Sequence, residues 1–136
     1  MKITGGCYCG DVRYEVDGDA LAKLQCHCRE CQHITGGGVN FTMAVTSDNF
    51  TYTKGAPAQF TRDDLEGAVT REFCGRCGAP LLTRAPALPG GVLLKVGSMD
   101  KPEDFGGPDV AIHMDDKYDF HIVAEGLPQF PKFPSM

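Results

Sequence analysis

The amino-acid sequence predicts a mainly β, single-domain protein with at most one or two short helices. Three observations carry this. Seventeen glycines and nine prolines leave no long uninterrupted stretch, and both residues are unfavourable inside helices. No segment holds a 3.6-residue apolar period for about 12 residues, so no long helix is expected. Several short segments instead alternate apolar with polar residues or gather β-branched and aromatic types, the pattern of strands. The 136 residues suit one ordinary domain with a modest core. No repeat, low-complexity block or linker divides residues 1–136.

In chain order, "DVRYEV" (11–16) alternates Val12, Tyr14 and Val16 with charged residues and reads as a half-buried strand. A short helix is expected after Cys28, through "RECQHIT", stopped by the glycines at 36–38. Further strands are expected at "FTMAV" (41–45), "NFTYTKG" (49–55), "PAQFTR" (57–62), "AVTREF" (68–73) and "GVLLKVGS" (91–98). "GAP" (55–57) and "PGG" (89–91) punctuate like hairpin turns. The tail "GLPQFPKFP" (126–134) has prolines at 128, 131 and 134, so it is expected to lie extended on the surface and not as a central strand.

Charge narrows the partners. Thirteen basic against 18 acidic residues give a formal net charge of −5, which argues against nucleic acid or an anionic membrane. No run of about 18 apolar residues is present to span a bilayer. The opening "MKITGGCYCG" lacks the apolar stretch of a secretory signal. A soluble, cytoplasmic protein is expected.

Seven cysteines must then be explained where thiols stay reduced. Their number is odd, and cysteines two apart are poorly placed to bond each other. Single cysteines are often buried thiols without a role, but these fall into three tight clusters, and metal is the better account. "GGCYCGD" carries Cys7 and Cys9; "FCGRCGAPL" carries Cys74 and Cys77. Each is a tight turn after a strand, with Gly75 and Gly78 freeing the second. Two such turns meeting in space make a closed four-sulfur zinc site. "CHCRECQ" (26–32) supplies three more, Cys26, Cys28 and Cys31. Either a histidine closes this group or its fourth position stays open to substrate, as in catalytic zinc. His27, between two ligand cysteines, should point away, whereas His33 could reach.

"GGCYCGDVRYEV", "CHCRECQ", "FCGRCGAPL", "LKVGSMD" and "LPQF", in this order, resemble the motifs of the glutathione-dependent formaldehyde-activating enzyme family, which includes centromere protein V. The match runs from about residue 5 to residue 130. The resemblance implies several small coiled antiparallel β-sheets organised around two zinc ions. It assigns Cys7, Cys9, Cys74 and Cys77 to a structural zinc, and Cys26, Cys28 and Cys31 to a catalytic zinc with an open position. It implies a lyase-type carbon–sulfur reaction, joining formaldehyde to the glutathione thiol to give S-hydroxymethylglutathione. Members usually carry a tryptophan before the "LP-x-F" segment; this chain has none, and Tyr118 or Phe120 is expected in its place. No glutathione contact is carried over.

Other polar residues have plainer roles as the first expectation. Arg29 beside Cys28 could meet an anionic substrate, but an exposed arginine in a helical turn is commonly just solvated. His113 and His121 could act as bases, yet each flanks apolar residues and reads as a hydrogen-bonded strand histidine. Glu30 should face solvent, and Ser98 and Asp100 should serve a turn or cap. "GGG" (36–38) lacks the Lys and Ser/Thr of a phosphate loop. Two competing functions remain: a non-catalytic zinc module that binds protein, and a thiol redox protein cycling through Cys26, Cys28 or Cys31.

Overall fold

A computed structural model describes residues 1–133. In chain order the strands are β1 (Lys2–Gly6), β2 (Arg13–Asp17), β3 (Ala22–Cys26), β4 (Asn40–Thr46), β5 (Phe50–Lys54), β6 (Ala58–Thr61), β7 (Thr70–Phe73), β8 (Pro80–Arg84), β9 (Gly91–Lys95) and β10 (Val110–Ile112). One α-helix, α1 (Arg29–Thr35), lies between β3 and β4. It begins where Cys28 accepts a hydrogen bond from the Cys31 N–H as N-cap, and ends at Gly36 in the left-handed conformation. Among the described residues no helix is long and apolar enough to cross a membrane.

The strands form two sheets. One is three-stranded, ordered β1-β2-β5; the other is seven-stranded, ordered β10-β3-β4-β9-β8-β7-β6. The mainly β expectation holds, but the sheets are not uniformly small or antiparallel. β10 runs parallel to β3, because it returns to that edge after the long excursion that follows β9.

The seven-stranded sheet is buried on both faces. Met43 and Val45 of β4, Val92 and Leu94 of β9 and Leu82 of β8 pack against Ile3, Tyr14 and Val16 of the smaller sheet. On the opposite face Leu24, Cys26 and Ile112 pack with Cys31 of α1. The near-continuous apolar run of β9 reflects this double burial. Contacts between the sheets are close. Gly5 bridges to Met99, and a Cβ there would collide with the Ser98 carbonyl and the Tyr14 ring. The Tyr14 hydroxyl lies 2.8 Å from Ser98 Oγ. Tyr52 of β5 donates to buried Glu72 of β7 at 2.7 Å.

All six expected strands form, with ends shifted by one to three residues: β4 is longer than expected, β2 is shifted toward Asp17, and the other four are trimmed. "GAP" is not a hairpin turn: it joins β5 to β6, which belong to different sheets. A local turn signal cannot tell a hairpin from a crossing between layers. "PGG" does lie in the connection between the antiparallel neighbours β8 and β9. The tail is largely exposed and, among the described residues, pairs with the β10 edge, where the Ala111 N–H donates to the Pro128 carbonyl and the Phe130 N–H to the Ala111 carbonyl; Pro134 lies outside the described residues.

Candidate metal centres

Cys7 and Cys9 sit in the β1–β2 hairpin of the smaller sheet, and Cys74 and Cys77 in the β7–β8 hairpin of the larger one. Folding brings the four sulfurs within 4.8 Å of one another. The Cys7–Cys9 and Cys9–Cys74 sulfur separations are both 3.7 Å. A tetrahedron with zinc–sulfur bonds of about 2.3 Å has edges of about 3.8 Å, so the spacing fits a shared metal, whereas a disulfide needs about 2.05 Å. Backbone N–H groups support the sulfurs. Val12 donates to Cys7 at 3.2 Å, and Arg76 and Cys77 donate to Cys74 at 3.4 Å. Gly78 at φ 77° makes the second turn possible; Gly75 has no positive φ.

The second group lies on the other face of the large sheet. Cys26 ends β3, Cys28 caps α1 and Cys31 is in its first turn, their sulfurs again within 4.8 Å of one another. The Cys31 N–H donates to Cys28 at 3.2 Å, and Asn40 Nδ2 donates to Cys31 at 3.2 Å. Hydrogen bonds from Cys26 and Cys28, helped by Asn40, pull the Cys31 thiol down to about 2. Cys26 is pushed far up, by its bonds to Cys28 and Cys31 and by burial. All seven cysteines are free.

No histidine or carboxylate joins the three sulfurs among the described residues. His27 points away, as expected: its Nε2 lies 3.1 Å from Gln25 Nε2, and its buried Nδ1 has no partner. His33 lines a separate cleft and does not close the group. Arg29 bonds to Gln32 and does not reach the cysteines. Glu30 faces solvent and pairs with Arg71 at 3.7 Å. His113 and His121 lie outside the strands. His121 Nδ1 accepts from the Tyr118 N–H at 3.1 Å, so its Nε2–H donates to the Gly37 carbonyl at 2.8 Å, a clamp on the loop after α1. Phe120 is 72 % exposed and stacks on Tyr118. Ser98 takes its turn role, donating to the Lys95 carbonyl at 2.7 Å. Asp100 caps no helical turn and serves instead as an ion-pair acceptor: Arg13 Nη1 and Thr4 Oγ1 donate to it at 2.9 and 2.7 Å, and Arg13 holds its carboxyl down at about 2.

Two clefts adjoin each other; neither is lined by Cys26, Cys28 or Cys31, and the larger reaches that group through Asn40, which donates to Cys31, while also being lined by Cys7 of the four-sulfur group. The larger, about 760 Å³, is lined by Arg13, Asn40, Phe41, Lys95 and Asp100 among others. The smaller, about 360 Å³, is lined by His33, Arg71, Thr83 and Lys95 between Phe60 and Phe73. Ile34, Pro80 and Lys95 line both. Lys95 is buried. Burial pushes its ammonium below the ordinary lysine range, while the charge of Cys31 opposes that shift. The sequence reading missed Asn40, Arg71, Thr83 and Lys95. A lysine in the apolar run of "GVLLKVGS" was the available signal.

A family model described as glutathione-dependent formaldehyde-activating enzyme matches residues 2–116. A Halomonas elongata protein, described as a candidate glutathione-dependent formaldehyde-activating enzyme, is 26 % identical over 94 residues, covering 65 % of this chain and 60 % of that protein. The match thus spans about three-fifths of that relative's length. A crystal structure of a Rhodobacter sphaeroides protein superposes with a TM-score of 0.60 at 20 % identity, covering 79 % of this chain and 97 % of that one; it supports the fold alone. The chain belongs to the glutathione-dependent formaldehyde-activating enzyme family.

Proposed function

We propose that this protein is a zinc-dependent enzyme of carbon–sulfur chemistry that joins formaldehyde to the thiol of glutathione or of a related small thiol. The observation that carries this reading is the three-sulfur group without a fourth side chain among the described residues, with Asn40, which donates to Cys31, lining the larger cleft. Cys26, Cys28 and Cys31 would hold a catalytic zinc, and Cys7, Cys9, Cys74 and Cys77 a structural one. Zinc on three thiolates supplies a centre of about −1 that favours the deprotonated form of an added thiol.

The chain's own residues do the rest. Asn40 fixes the orientation of Cys31 and spreads its charge through the N–H···S bond. The Lys95 charge offsets the negative sulfurs across a low-dielectric gap. The walls of the larger cleft hold thiol and aldehyde together, which is the main source of rate in such an addition. In the net reaction a carbon–sulfur bond forms, the carbonyl π bond is lost, and the thiol proton ends on the new hydroxyl oxygen. No electrons are exchanged with an outside oxidant. The seven free thiols are all absorbed by the two groups, which disfavours the redox reading.

Cobalt-substituted protein tests this. Glutathione is expected to change the sulfur-to-cobalt charge-transfer band, and Cys31→Ser to abolish the change. The S-methyl analogue, with no thiol to ionise, should do little. An equal response to the thioether would remove the thiol-docking mechanism. No response to either would favour the non-catalytic module.

A further inference from the structure

We propose that Arg71, Thr83 and Lys95 form a carboxylate-binding subsite in the smaller cleft, which receives the C-terminal carboxylate of the thiol substrate. The inference deepens the reading above and rests on it for the identity of the ligand. The subsite itself stands on geometry. Arg71 on β7 lies directly opposite Thr83 on β8, and Thr83 opposite Leu93 on β9. Lys95 is two residues beyond Leu93 and shares its face. Directly opposed residues stand about 5 Å apart and diagonal ones about 7–8 Å, so the three side chains rise from one patch of sheet.

None of the three makes a side-chain hydrogen bond among the described residues. Thr83 is 4 % exposed, and its Oγ1 is buried without a hydrogen-bond partner. Lys95 is 8 % exposed, and its ammonium donates no hydrogen bond among the described residues. Arg71 is 17 % exposed on its side chain and pairs with Glu30 at 3.7 Å, beyond hydrogen-bond reach. A guanidinium has five N–H donors and an ammonium three. Buried polar groups are ordinarily paired, so the buried, unpaired Thr83 hydroxyl, lining a cleft together with the Arg71 and Lys95 cations, points to an acceptor from outside. Glu72 also lines this cleft, but it is occupied by Arg84, Tyr52 and Gln59 at 2.6, 2.7 and 2.9 Å.

The chemistry selects the end of the ligand. Glutathione has two carboxylates. The γ-glutamyl one carries an ammonium beside it, which Arg71 and Lys95 would repel, and Glu72 is not free to compensate. The glycyl carboxylate has no such neighbour. Lys95 lines both clefts, and Asn40, which donates to Cys31, lines the larger, so a tripeptide spanning the two would turn its thiol toward Asn40 and the cysteine group with its glycyl end in the smaller cleft.

The test is calorimetric titration of glutathione and its glycyl ethyl ester into zinc-loaded wild type, Thr83→Val and Arg71→Gln. In wild type the ester is expected to bind about tenfold more weakly, the loss of a charge-assisted contact. In Thr83→Val the gap should shrink to about threefold, and in Arg71→Gln it should close. Thr83→Val should keep or raise the melting temperature, because it removes an unpaired buried hydroxyl. Equal binding of acid and ester to wild type would overturn the proposal, as would variants that weaken both alike. If wild type binds neither, the glutathione reading fails and the subsite is judged separately, by the Thr83 methyl resonance under N-acetylglycine and under inorganic phosphate. A shift with N-acetylglycine that Arg71→Gln abolishes retains a carboxylate subsite. No shift, or a shift with phosphate alone, overturns it.

Discussion

The two cysteine groups use the same ligand chemistry for opposite structural ends. The four-sulfur group joins hairpins from different sheets, tying residue 7 to residue 77. The three-sulfur group is local: Cys26, Cys28 and Cys31 span the end of one strand and the first turn of one helix. A metal in the first would close a long loop and clamp two layers. A metal in the second would cross-link almost nothing that the helix does not already hold. The difference teaches that loop closure, not sulfur count alone, separates a site that folds the chain from one that is free to serve chemistry.

The largest expected effect breaks the comparison if it is wrong. Cys74→Ser should leave no cooperative thermal transition, because structural zinc contributes about 10–16 kcal/mol in small domains against a total stability of about 5–15 kcal/mol. Cys28→Ser should keep the transition within a few degrees and lose glutathione–formaldehyde addition, followed by isotope-exchange NMR. Serine is a good N-cap, so α1 keeps its start even without the sulfur. Metal analysis should find two zinc ions per chain, with the three-sulfur ion yielding first to a chromogenic chelator. Equal thermal losses in the two variants, or simultaneous release of both ions, would erase the distinction.

A smaller effect sharpens it. The Asn40 side chain donates to Cys31 and, among the described residues, makes no hydrogen bond to the four-sulfur group. Asn40→Leu should lower zinc affinity there about 10–100-fold, the usual effect of removing such a supporting partner. The four-sulfur ion should be released at an unchanged rate. Competition with a calibrated chelator reads both ions in one experiment; an equal change in both would show that Asn40 acts through the fold.

What was legible in the sequence follows the same division between local and distant. The helix and its caps were readable because Cys28, the RECQHIT run and the glycines after it are contiguous. The metal clusters were readable because ligand spacing is a local code. β1, β3, β8 and β10 were not. "AKLQC" has no strand pattern of its own and becomes β3 because β4 and β10 pair with it on both sides. "GAP" misled because crossing between sheets leaves no local mark. Arg71, Thr83 and Lys95 are far apart in sequence and meet only through the register of three strands. His33 looked near enough to Cys31 to close the site, but the helix carries it toward the smaller cleft.

The smallest effect concerns the same sheet interface that the four-sulfur group clamps, at a point where no metal helps. Asp100 accepts from Arg13 and Thr4, joining the loop after β9 to the smaller sheet. Arg13 lowers the Asp100 carboxyl to about 2 in the folded protein, below its unfolded value of about 3.9. A depressed folded value means the unfolded chain binds the proton more readily. The stabilisation is therefore complete above about pH 4 and is lost as the pH falls through about 2. The pair is well exposed, 36 % and 40 % on the two side chains, so solvent screening limits it to less than about 1 kcal/mol. Asp100→Asn should lower the melting temperature by a few degrees at pH 7, with the difference from wild type narrowing between pH 4 and pH 2. Melts of both proteins with zinc retained would check this, using the less acidic end of that window, where cysteine ligation still competes with protons. A constant difference across the window would mean that Asp100 acts by shape and not by charge. Loss of cooperativity in Asp100→Asn at pH 7 would be the more instructive failure, because the interface would then depend on this pair as heavily as on the sulfurs.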